Sequence, residues 1–221
     1  MTTATSAKII ELQHVSKDFG TRSILADVNL AINRGDFVAV TGPNGGGKTT
    51  LMRLLLRLIK PSSGRVVYYD EGSVTRHLHF GYLPQKNMID SRFPISVEEV
   101  ITSGLKMKPL HRITAQERAL VADVLARVGL EQQRSSAIGE LSGGQLQRAM
   151  LGRAIIGRPS VLVLDEPLSY LDERYQQQFY SIIDTMAPHV TIIMVSHDTS
   201  VLQRMATRHL VVDHAVREHS V

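Results

Sequence analysis

Residues 42–49, Gly-Pro-Asn-Gly-Gly-Gly-Lys-Thr, restrict this chain more than any other stretch. They fill the pattern G-x-x-x-x-G-K-[ST] without a gap. Gly42, Gly45, Gly46 and Gly47 let the backbone curl until successive N–H groups face one anion, with Pro43 and Asn44 completing the loop. The apolar run Phe37-Val38-Ala39-Val40 before it reads as a buried strand, and residues 48–59 after it as a helix. The positive end of that helix therefore joins the loop in receiving a phosphate. Lys48 supplies a point charge to the β- and γ-phosphates, and the Thr49 hydroxyl is a Mg²⁺ ligand. A buried strand, an anion-binding loop and a helix in that order predict an α/β fold with a nucleotide site.

The flanking chain fits that class. Residues 9–15, 25–32, 65–69 and 80–83 read as strands, with a turn or short loop over 70–76. Ser96 with Glu99 and Thr114 with Glu117 each make a capping box, and Gly129 stops the second helix. This helical stretch, roughly 86–158, interrupts the α/β chain. Apolar strands resume at 161–164 and 190–195, with a helix between and another after, and the polar tail 214–221 is expected to fray.

Two further constellations carry chemistry. Val161-Leu162-Val163-Leu164 delivers Asp165 and Glu166 to the carboxyl end of a strand, where open α/β sheets bind ligands. Asp165 would hold Mg²⁺. Glu166, turned the other way by strand alternation, would orient and deprotonate a water. Alone, such a strand end is weak support for a site; beside the phosphate loop it reads as functional. In Leu141-Ser142-Gly143-Gly144-Gln145, Ser142 and Gln145 form a capping box, while the two glycines leave bare backbone at a helix N-terminus, an anion-receiving arrangement without a lysine.

With those residues in place the chain resembles the ATP-binding cassette ATPases over nearly its whole length. Residues 141–145 match that family's signature motif as they stand. The resemblance implies a phosphate-loop NTPase core with a mainly parallel sheet, an antiparallel β subdomain and an inserted α-helical subdomain. It implies one domain, with the core at about 1–85 and 159–213 and the insert at about 86–158. Phe19 falls where the family stacks an aromatic on adenine, and Gln85 matches the glutamine joining core to insert, a Mg²⁺ contact. Residues 169–172, Ser-Tyr-Leu-Asp, resemble the segment crossing the dimer seam, with Tyr170 bulkier than the small residue often found there. His197 matches the switch histidine at the γ-phosphate. ATP and Mg²⁺ are the implied ligands. Lys48, Thr49, Thr50, Asp165, Glu166, Gln85 and His197 would act in cis. Ser142, Gly143, Gly144 and Gln145 would act on the nucleotide of a second chain, packed head to tail in a homodimer.

Composition then selects among relatives. No apolar run approaches the roughly eighteen residues of a membrane span, Arg53 and Arg57 breaking the nearest one. No secretory signal is expected at the N-terminus. Transport would thus need separate permease subunits and, indirectly, an extracytoplasmic metal-binding protein, with this chain peripheral on the cytoplasmic face of the membrane. Lys and Arg number 25 against 21 Asp and Glu, a net +4, yet these charges are scattered and aromatics are 5%, so nucleic acid is not the expected partner. The chain has no cysteine for zinc modules, and the span from Lys48 to Ser142 has no room for the coiled coils of chromosome-acting relatives. Asp90 and the stretch Phe93-Pro94-Ile95-Ser96-Val97 resemble the subfamily importing zinc or manganese. An iron-siderophore or cobalamin importer, and a cassette regulating a membrane complex, stand as alternatives. His209, His214 and His219 recur every five residues, a spacing read as unsuited to a metal site.

Overall fold

The computed structural model describes residues 7–85, 94–105, 112–168, 171–196 and 205–219. Their first elements are β1 (Lys8–Phe19), β2 (Arg22–Asn33), β3 (Phe37–Thr41), α1 (Lys48–Leu55), β4 (Ser63–Asp70), β5 (Ser73–Thr75) and β6 (Phe80–Leu83). Then come α2 (Val97–Thr102), α3 (Ala115–Arg127), α4 (Gly143–Ile156), β7 (Val161–Asp165) and α5 (Glu173–Met186). The last are β8 (Thr191–Val195), β9 (Arg208–Asp213) and β10 (Ala215–His219). They divide into two compact units, Phe80–Met186 and the remainder.

The unit holding the chain ends contains an antiparallel sheet in the order β2-β1-β4-β5. Leu12 and Val15 on β1 are both buried although three apart. The register shifts between them, with His14 at φ 51° and Asp27 at φ 45°. This bulge returns the next apolar residue to the inner face. In the same unit β3 lies between β8 and β9, parallel to both. Phe37, Val38, Ala39 and Val40 are all buried, as a strand covered on both faces requires. Helix α1 buries Leu51, Met52, Leu54 and Leu55, each leucine contributing about 1.5–3 kcal/mol. It stops short of the expected residue 59. Arg57 turns to φ 53°, stacks 3.8 Å from the Tyr68 ring centroid and donates to the Val66 and Arg76 carbonyls.

Two further expectations in this unit need correction. The stretch 70–76 contains β5, paired antiparallel with β4. The tail does not fray after Asp213: β10 pairs antiparallel with β9. Arg208 on β9 holds it there, donating to both Glu218 oxygens at 2.6 and 2.8 Å and to Asp36 at 2.7 Å. The expected helix after Val195 lies largely outside the described residues.

The other unit pairs β6 with β7 in parallel and packs α2 and α3 against α4. Both capping boxes form, with Ser96–Glu99 opening α2 and Thr114–Glu117 opening α3. Val121, Val124 and Leu125 of α3 are buried, and Gly129 at φ 63° ends the run. Helix α4 is buried over most of its circumference, from Gln147 to Gly152 and again at Ala154, Ile155 and Ile156. Such a helix belongs to the interior of its unit.

Candidate functional site

The glycine loop is held against the β9–β10 hairpin, which explains its composition. A Cβ on Gly42 would stand 2.1 Å from the Val212 carbonyl oxygen, and one on Gly46 2.6 Å from the same atom. Gly46 N–H donates to the Pro43 carbonyl at 3.1 Å, and Gly46 O accepts from His214 N–H at 3.0 Å. Gly47, at φ 105°, starts α1 with no side-chain cap, and no acidic residue lies in the first turn. The helix therefore offers its N–H groups and positive end with no built-in competitor. Lys48 is buried, and its Nζ donates to the Gly42 and Pro43 carbonyls at 2.8 and 2.9 Å, clasping the loop. Thr49 and Thr50 follow, both partly exposed. Phe19, at the end of β1, is 52% exposed with the Lys17 ammonium 4.9 Å from its ring centroid. Lys17 covers one face of the ring, and about half of the side chain stays open to solvent.

In the other unit β7 is buried throughout and ends on Asp165, 2% exposed. Glu166 is not a continuation of the strand. Its backbone turns to φ 49°, left-handed for a non-glycine residue. Its direction is thus set by a strained turn and not by strand alternation, at a cost of about 1–2 kcal/mol. Strain of this kind gathers at working residues. Gln85 is exposed on the bend after β6. Thr49 in one unit and Asp165 in the other each offer an oxygen donor of the kind Mg²⁺ takes. His197, Ser169, Tyr170 and residues 90–93 lie outside the described residues.

The 141–145 stretch makes the helix start expected of it, with one change. Gly143 and Gly144 are the first two residues of α4, inside its first turn. Ser142 Oγ accepts from Gln145 N–H at 3.3 Å, and Gln145 Oε1 accepts from Ser142 N–H at 2.8 Å. This turn, with Arg148, Asp172 and Tyr175, borders an open cavity of about 380 Å³. The helix N-terminus gives this hollow one positive end, with the Asp172 carboxylate also on its wall.

The ABC transporter family model matches residues 25–169, from β2 through the phosphate loop and the signature turn to the segment after Glu166. The chain belongs to the ABC transporter family. A "Probable metal transport system ATP-binding protein" of Chlamydia trachomatis serovar D is 39% identical over 85% of this chain and 80% of its own length. The "Zinc import ATP-binding protein ZnuC" of Pasteurella multocida is 33% identical over 88% of this chain and 69% of its own. Among solved structures, a dimeric ATP-binding cassette in a post-hydrolysis state with ADP and Pi superposes with a TM-score of 0.83. It is 26% identical and covers 96% of this chain and 98% of that one. The fold class read from the sequence and the ATPase activity it implied go with that membership.

Sequence reasoning passed over several residues of this ABC cassette. Val212 and His214 brace the phosphate loop, a role visible only once β9 lies beside β3. Arg148 is 7% exposed, and its Nη1 donates to the Val128 and Gly129 carbonyls at 2.9 and 2.7 Å. Its guanidinium carbon sits 3.6 Å from the Tyr175 ring centroid. Burial pushes the guanidinium's pKa down, opposed by Tyr175 and Asp172. The available signal was an arginine inside an otherwise buried helix. His209 and His219 prove to be cross-strand partners, ring centroids 5.9 Å apart, with His209 Nε2 2.8 Å from Thr41 Oγ1. Burial and His219 lower the His209 pKa.

Proposed function

We propose that this cassette is the ATP-hydrolysing subunit of an importer for a metal ion, zinc or manganese. The supporting observation is its likeness to metal-transport and zinc-import ATP-binding proteins over more than four-fifths of the chain. Phe19 stacks on the adenine. The 42–47 loop, Lys48 and the first turn of α1 bind the phosphates, with Thr50 beside them. Thr49, Asp165 and Gln85 are the residues that would hold Mg²⁺, which would supply neutralisation of the charge developing on the phosphates. Glu166 orients the attacking water and takes its proton, and His197 contacts the γ-phosphate. Hydrolysis is then positioning plus electrostatic stabilisation of an in-line displacement.

The lysine-less turn at 142–145 makes sense in a head-to-tail dimer. Ser142, Gly143, Gly144 and Gln145 close over the γ-phosphate bound to the partner chain's loop, and each nucleotide joins the two chains. ATP binds the closed dimer better than the open one, and this difference is what drives the permease subunits. Among the described residues no helix is long and apolar enough to cross a membrane. The permease is a separate polypeptide in this reading, with the cassette at its cytoplasmic face. Deleting the gene should impair growth under zinc or manganese chelation, with rescue by the missing metal and by the wild-type gene but not by Lys48→Ala. Unimpaired growth of the deletion strain under zinc chelation and also under manganese chelation would remove the assignment.

A further inference from the structure

The structure gives Arg148 a task that the nucleotide chemistry does not use. It lies on α4, one turn beyond Gln145, so it shares a helix face with the end of the signature turn. Its two carbonyl partners, on Val128 and Gly129, are where α3 ends. A cation there meets the negative end of that helix. Its guanidinium plane covers Tyr175, three residues after Asp172, whose Oδ1 accepts from Tyr175 N–H at 3.0 Å. One side chain thus ties α4 to the end of α3 and the start of α5. Tyr175 also contributes to the wall of the cavity under the signature turn. Next to it, Gln147, 2% exposed, donates to the Pro167 carbonyl at 3.3 Å, so the same stretch of α4 is pinned on a second side.

The interaction uses what only arginine has. A planar fork bonds two carbonyls and its face stacks on an aromatic ring, whereas lysine offers a point charge that does neither together. We propose that Arg148 is a positioning residue that, through its stack on Tyr175 and its bonds to the end of α3, holds the 142–145 turn in the attitude needed to close on a partner chain's nucleotide. This rests on the head-to-tail reading above. In this reading Arg148 acts only through the 142–145 turn and the partner chain's nucleotide, so its loss shows in dimer closure and not in monomer binding.

The test uses the Glu166→Gln chain, whose ATP-bound dimer is followed by sedimentation velocity, with a fluorescent ATP analogue reporting binding to the monomer. Adding Arg148→Lys should weaken the ATP-dependent dimer by about tenfold or more, as loss of roughly 1.4 kcal/mol does. Monomer affinity for the analogue should stay near the parent's, and the chain should remain folded with its melting temperature lowered by only a few degrees. Tyr175→Leu should weaken the dimer similarly, the double variant should be little worse than either single one, and Tyr175→Phe should dimerise normally. If Glu166→Gln itself forms no ATP-dependent dimer, the head-to-tail reading is what fails. A parent that dimerises alongside an Arg148→Lys chain that dimerises as tightly overturns the positioning role. So does an Arg148→Lys chain that loses monomer binding or unfolds, because its role is then general stability. Fully additive effects of Arg148→Lys and Tyr175→Leu overturn the route through Tyr175.

Discussion

Gly46→Ala isolates one claim, that the phosphate loop is shaped by the β9–β10 hairpin pressed against it. No positive φ is involved at this position, so the new methyl acts through space alone. Its Cβ would stand 2.6 Å from Val212 O and 3.1 Å from Pro43 O, both backbone atoms that cannot rotate away. Relief requires a movement of about 0.4 Å, against hydrogen bonds from Gly46 N–H to Pro43 O and from His214 N–H to Gly46 O. Overpacking of this kind costs about 1–3 kcal/mol. If the loop yields, ATP affinity measured by titration calorimetry should fall by about tenfold to a hundredfold, at 1.4 kcal/mol per decade. If the hairpin yields, the melting temperature should drop by about 2–4 °C for each kcal/mol. The two losses together should account for the cost. Gly72→Asn is the control, because Gly72, in the turn between β4 and β5 and outside the phosphate loop, faces open space at φ 80°, a left-handed conformation asparagine tolerates. A Gly46→Ala chain that bound ATP within about twofold of wild type and melted within about 1 °C of it would refute the bracing of the loop by Val212.

Three other outcomes follow from particular contacts. Glu166→Gln should bind ATP as wild type does and lose turnover by about 10²–10⁴-fold, the scale of a general base; near-normal steady-state hydrolysis would place the base elsewhere. Arg208→Ala breaks the links to Asp36 and Glu218 and should cost about 2 kcal/mol. Its signature is faster amide exchange across β10, and unchanged protection of that strand would contradict the pairing. The hydrogen bond from Lys8, then that from Tyr69, holds the Glu11 carboxyl down to about 2. A lowered carboxylate pKa stabilises the fold above its unfolded value near 4.5 and loses that contribution as pH falls towards 2. Urea titrations should therefore show Glu11→Gln less stable than wild type at neutral pH, the gap narrowing below pH 4.5; a gap independent of pH would assign the effect to something other than ionisation.

The parts legible in the sequence are those whose cause is local. The phosphate loop is set by glycines and a lysine at fixed spacing, and both capping boxes by a hydroxyl and a carboxylate three residues apart. The buried strands β3, β7 and β8 announce themselves as unbroken apolar runs. What escaped depends on partners distant in the chain. Strand β10 is polar and looks like a tail, and it is held by Arg208 and by pairing with β9. The early end of α1 depends on Arg57 finding carbonyls on and beyond β4. Glu166 leaves its strand through a left-handed turn that no alternation pattern signals. Arg148 and Tyr175 meet only because α4 and α5 pack in one unit, so neither residue stands out from its sequence neighbours.

The central claim is that ATP hydrolysis by this cassette powers metal import, and initial uptake of radiolabelled zinc and manganese tests it most directly. Cells lacking the gene should regain uptake of one of the two metals when given the wild-type chain, and should not when given Glu166→Gln at equal expression. Equal uptake of both metals with and without the wild-type chain, or full restoration by Glu166→Gln, would contradict it.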